Sequence, residues 1–86
     1  MTSVPIHDKD NDSKYRWKIY IPSTGGWPRG MSRAFRIKSQ FDVWLTENNI
    51  QGETYYNMMY LTNNKDVVYF RLSWHGDQNY QIVRLR

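Results

Sequence analysis

The chain has 86 residues and a mass of 10.4 kDa, with 40% hydrophobic and 23% charged side chains, enough for one small core and one main site. Twelve Lys and Arg against eight Asp and Glu give a formal charge of +4 and an isoelectric point near 9.5, which favours polyanionic partners. Cysteine is absent, which excludes disulfides, thiolate metal sites and cysteine nucleophiles. No apolar run reaches the ~20 residues of a membrane span and no apolar signal segment opens the chain, so a cytoplasmic protein, in its own cell or a host's, is expected.

Residues 1–13 (MTSVPIHDKDNDS) are polar and aperiodic and read as a flexible acidic arm, followed by a single domain over 14–86. Asp8, Asp10 and Asp12 against Lys9 give the arm −2 and leave +6 on the remainder. In residues 14–21, Tyr15, Trp17, Ile19 and Ile21 alternate with Lys14, Arg16, Lys18 and Tyr20, the period-two pattern of a half-buried strand. Pro22 and the run STGGWPRG at 23–30 predict a loop. Alternation of Phe35 and Ile37 with Arg36 and Lys38 predicts a second strand over 32–38. Ser39 as N-cap, with Asp42 three positions on and Phe41, Trp44 and Leu45 at helical spacing, predicts one short helix over 40–48. Asn49 suits its left-handed end and Gly52 the following turn. Residues 53–62 and 67–74 read as strands joined by a turn at Asn63, Asn64, Lys65 and Asp66, with Val68, Phe70, Leu72 and Trp74 on one face. A last strand follows over 80–85. The result is a ββαβββ α+β domain, its sheet predominantly antiparallel and its short helix packed on one face.

One short helix covers one face of such a sheet, so the other meets solvent or a partner. The outward set predicted by alternation is Arg16, Lys18, Tyr20, Arg36, Lys38, Tyr69 and Arg71, joined by Arg84 and Arg86 if Val83 and Leu85 point inward. Seven cations fall between residues 14 and 38 without an acidic residue. Cations neutralise phosphates and flat rings stack on bases, which is the chemistry of single-stranded DNA or RNA binding. An ordinary solvated sheet face has the same composition. Trp27 beside Arg29, bracketed by glycines, has the character of an interaction hot spot, and Trp27 folded back on a sheet edge is the plain alternative. Tyr55, Tyr56, Met58, Met59 and Tyr60 suit either an adaptable protein-binding strand or the core.

Other chemistries are not supported. Asp8, Asp10 and Asp12 match the start of a calcium loop, but Ser13 stands where glycine is needed and Ile19 where glutamate is needed. The glycine loop lacks the Gly-Lys-Ser/Thr end of a phosphate cradle. His7 and His75 have no catalytic or ligand partners at a telling spacing. No enzyme activity, cofactor, metal or small-molecule substrate is expected.

A small size, no cysteine, abundant Asn, Tyr, Trp and Met and a compact α+β pattern together resemble the small orphan proteins of bacteriophages, which act by stoichiometric binding to nucleic acid or to host enzymes that process it. The resemblance implies modulation of a host machine, as by transcription modulators, anti-restriction factors and anti-CRISPR proteins. It assigns no site residue. The expected function is therefore nucleic-acid binding through Arg16, Lys18, Tyr20, Trp27, Arg29, Arg36, Lys38, Tyr69, Arg71 and Arg84. The rival is a protein-binding inhibitor or adaptor using Trp27 and the Tyr/Met-rich strand. The acidic arm, folded over the basic face, would compete with a polyanion.

Overall fold

The computed structural model describes residues 8–22 and 29–86. Along the chain come a 3₁₀ turn (Asp8–Asn11), strand β1 (Trp17–Tyr20), helix α1 (Arg29–Glu47), strands β2 (Gly52–Tyr55) and β3 (Met58–Leu61), helix α2 (Asn64–Ser73) and strand β4 (Gln81–Arg84). This is an α+β architecture with every neighbouring strand pair antiparallel, as the sequence implies, in the order β2-β3-β1-β4. β3 is inserted between β1 and β2, and β1 between β3 and β4. Each helix therefore crosses over one strand, the split β-α-β order of ferredoxin-like domains.

Two segments expected as strands are helical, because their buried residues follow the helical period. On α1, Ala34, Ile37, Phe41, Trp44 and Leu45 are buried, while Phe35 and Val43 are exposed. Residues 32–38 thus belong to a 19-residue helix, which contains the expected helix over 40–48 and places Ser39 in its interior. On α2, Val67, Phe70 and Trp74 are buried and Val68 and Leu72 exposed, so the alternation read over 67–74 was incidental. Asn63 is the N-cap of α2, and its side-chain amide lies 3.5 Å from Asp66 in the first turn. The expected strand over 53–62 is split by a two-residue turn at Tyr56 and Asn57, where Tyr56 adopts φ 52°. The Asn57 side chain donates to the Ile21 carbonyl at 2.8 Å and its own carbonyl accepts from the Ile21 amide at 3.1 Å, which fixes that turn against the end of β1.

The end of α1 matches expectation. Asn49 adopts φ 52°, its amide donates to Thr46 and the Ile50 amide to Leu45, closing the paired 5→2 and 6→1 bonds of a Schellman motif. Gly52 is the first residue of β2, and a Cβ there would stand 2.8 Å from the Tyr60 carbonyl oxygen.

Cross-strand register sorts the sheet into two faces. Ile19, Ile21, Met59 and Leu61 point at both helices and meet Ile37, Phe41, Trp44, Leu45, Val67, Phe70 and Trp74. Phe70 is the hub, stacked on Trp74 at 4.9 Å and edge-on to Trp44 and Tyr80 at 5.1 and 5.0 Å. The opposite, outer face gathers Lys18, Tyr60, Met58 and Tyr15, with Tyr20, Tyr55 and Leu85 partly buried around them. It is covered by the Asp8–Asn11 turn, so the second half of the expected arm is docked on the sheet.

Candidate functional site

The expected open basic face is not assembled. Arg36 and Lys38 on α1 and Tyr69 and Arg71 on α2 belong to the helical layer, on the other side of the sheet from Lys18 and Tyr20, because their segments are helices. Arg36 and Arg71 are exposed, and Lys38 Nζ is 2.9 Å from Asp42 one turn on. The Tyr69 hydroxyl donates to Asn48 at 2.8 Å. Arg29 is the first residue of α1, and Trp27 lies outside the described residues. Of the Tyr/Met-rich strand, Met58, Met59 and Tyr60 are buried, so these three offer no protein-binding surface.

Lys18 departs furthest from expectation. Alternation places it on the outer face as expected, but there it is fully buried. Its Nζ lies 2.6 Å from Asp10 Oδ2, and the Tyr60 hydroxyl, from the residue directly opposite on β3, donates to Asp10 Oδ1 at 2.6 Å. Burial, then the bond to Asp10, pushes the Tyr60 hydroxyl pKa well above its usual value. Beside this pair Lys9 bonds Glu53, and Lys14 Nζ is 3.6 Å from the same carboxylate. The Lys9 and Tyr15 hydrogen bonds hold Glu53 down to about 2. Lys9, Lys14 and Lys18 are thus each matched by a carboxylate.

The cations at one end of the sheet are not. Arg16 sits just before β1, where its amide donates to Leu61 at 3.1 Å and its carbonyl accepts from Leu85 at 2.8 Å, so both neighbouring strands clamp its backbone. Arg84 closes β4 opposite Trp17, its guanidinium carbon 5.7 Å from the Trp17 ring centroid, within cation–π range. Its Nε donates to a main-chain oxygen of Arg86 at 2.9 Å, and Arg86 Nη1 donates to the Asp10 carbonyl at 3.0 Å. Arg16, Trp17, Arg84 and Arg86 line a cleft of about 520 Å³, whose far wall is Thr62, Asn63 and Asn64 at the start of α2. No Asp or Glu side chain lines it, and among the described residues none of the three arginines pairs with an Asp or Glu side chain.

Arg16 and Arg84 were legible as candidates from the sequence and the fold brings them together, but not on one outward face: Val83 pairs with Lys18 and Leu85 packs with the outer-face tyrosines, so Arg84 falls on the Trp17 side of β4. Trp17, which alternation assigns to the core, lies partly buried at the core's edge and faces the cleft, and Thr62, Asn63 and Asn64 carry no signal beyond turn composition. The cleft offers guanidinium groups, a ring face and amide side chains, which recognise phosphates and bases without chemistry. Among the described residues no cluster of His, Asp and Glu can hold a metal ion, and no helix is long and apolar enough to cross a membrane. No family model, curated protein or solved structure matches this chain.

Proposed function

We propose that the protein is a non-enzymatic binding module for single-stranded nucleic acid, gripped in the cleft between β1, β4 and the start of α2. The observation that carries this reading is the convergence of Arg16, Arg84 and Arg86 around Trp17 with no Asp or Glu side chain in the lining. Guanidinium groups bind phosphates bidentately, and a base can stack against Trp17 or the Arg84 plane. Each phosphate contact contributes about −0.7 to the slope of log affinity against log salt for a single strand, so three arginines predict a slope near −2.

Fluorescence anisotropy with a labelled oligonucleotide at two ionic strengths tests this. The double variant Arg16→Glu/Arg84→Glu should lose binding while keeping its unfolding transition, since both side chains are exposed. Arg36→Glu, on the other side of the sheet, should bind as the parent does. Absence of binding by the parent at ~50 mM salt overturns the reading. A second reading, a protein-binding adaptor, is favoured by one observation: the exposed apolar residues Phe35, Val43, Val68, Tyr69 and Leu72 all lie on the two helices.

A further inference from the structure

The outer face of the sheet is closed by an unusual cover. Around Lys18 stand Tyr60, Tyr15 and Tyr20, a cation on the inner strand β1 ringed by three phenols. What lies over them is neither an α-helix nor a strand but the single four-residue 3₁₀ turn Asp8–Asn11. That turn brings no apolar side chain: residues 8–14 read DKDNDSK. Its attachments include Asp10 to Lys18 and Tyr60, Lys9 to Glu53, and the Asp10 carbonyl to Arg86. A layer held by apolar area has no charge for ions to screen, whereas one held by charge competes directly with any other anion.

Asp10 also does what a phosphate would do there. One carboxylate oxygen takes the Lys18 ammonium and the other takes the Tyr60 hydroxyl, the two acceptor contacts that a nucleotide's non-bridging oxygens offer. Arg86 joins the two regions, because its guanidinium lines the cleft and holds the turn's backbone at 3.0 Å. A phosphate that draws Arg86 into the cleft removes one of the turn's attachments.

We infer that the Asp8–Asn11 turn is a displaceable plug standing in for phosphate, and that it masks a second contact surface for single-stranded nucleic acid made by Lys18, Tyr20 and Tyr60. The inference rests on the nucleic-acid reading of the cleft and extends it: a bound strand runs from the arginines onto the sheet once the turn lifts. Lys18 then pairs with phosphate, and the tyrosines offer ring faces to bases.

The test compares the full chain with Asp10→Asn and Asp12→Asn, using a labelled oligothymidylate as probe. Both variants change the net charge equally, but Asp12 is exposed and its carboxylate accepts from the Lys14 amide, whereas Lys18 and Tyr60 bond Asp10. If the plug is closed about nine times in ten, Asp10→Asn binds about tenfold more tightly. The salt slope steepens by about 0.7, for one added phosphate contact. Asp12→Asn changes neither beyond the common charge effect, and adding Lys18→Met to Asp10→Asn removes the gain. Equal affinities for Asp10→Asn and Asp12→Asn overturn the plug while leaving the cleft reading intact. Binding by Asp10→Asn alone, with none by the parent, sustains the plug and sinks the cleft, and no binding by either sinks both. Hydrogen exchange on the parent chain needs no variant: saturating oligonucleotide should raise exchange over residues 9–15, and unchanged or slower exchange there overturns the inference.

Discussion

On the helix side of the sheet, Ile19, Met59 and Leu61 lie under Phe41, Phe70 and Trp74, and closure comes from apolar area and aromatic packing. On the outer side the same strands present Lys18 and Tyr60 to Asp10, and closure comes from ion pairs and hydrogen bonds to the Asp8–Asn11 turn. Neighbouring residues of β1, Lys18 and Ile19, are both fully buried, one against a carboxylate and one against hydrocarbon. Burial therefore says little about what holds a face shut. Area is additive and carries no charge for salt to screen, while a buried ion pair depends on a single partner whose loss leaves an uncompensated charge.

The comparison breaks first on the helix side. Phe70→Ala removes the ring that Phe41, Trp44, Trp74 and Tyr80 share, and should cost about 3–5 kcal/mol in chemical denaturation with the salt response unaltered. On the outer side, Lys18→Met should cost about 2 kcal/mol, because Asp10 loses its cation but keeps some contact with water. Adding Asp10→Leu should restore most of that loss, giving a coupling of about 1–2 kcal/mol in a double-mutant cycle. If the double variant is as unstable as the sum of its singles, the outer face is closed by packing after all. The smallest effect is a pH dependence. Glu53 is held at about 2 in the folded chain against an ordinary 4.5, so its stabilisation is complete above 4.5 and fades as pH falls through 2. Its side chain is 40% exposed, so the slope is shallow and screened by salt. Glu53→Gln should flatten that part of an acid-unfolding curve.

How much of this was readable depends on which period a segment shows. β1 alternates over its whole length and the end of α1 carries a left-handed Asn49, and both were recognisable. Residues 32–38 and 67–74 satisfy two patterns at once: Val68, Phe70, Leu72 and Trp74 alternate, while Val67, Phe70 and Trp74 repeat as a helix does. Only packing against β3 decides between them. Asn63 followed by Asp66 was the local signal for α2, the same signal that was read at Ser39 and Asp42. For the candidate site, Arg16 and Arg84 stood out as cations, but their meeting depends on β4 pairing with β1 across the domain, which no local pattern encodes. The partnership of Asp10 with Lys18 was equally hidden, since an acidic, aperiodic segment carries no sign of where it docks.

The sheet order has a kinetic consequence. Trp17 pairs with Leu61 on one side and Arg84 on the other, so β1 depends on segments far along the chain, while the β2–β3 hairpin closes over a two-residue turn. Loop-closure entropy must be met before such distant pairings stabilise anything, which makes topologies of this kind fold more slowly than local ones. During synthesis β1 emerges early and remains without a strand partner until β3 and then β4 follow. Through that interval an alternating, aromatic-rich segment stands with its backbone edges open, and Lys14, Arg16 and Lys18 are the charges that discourage it from pairing with another chain.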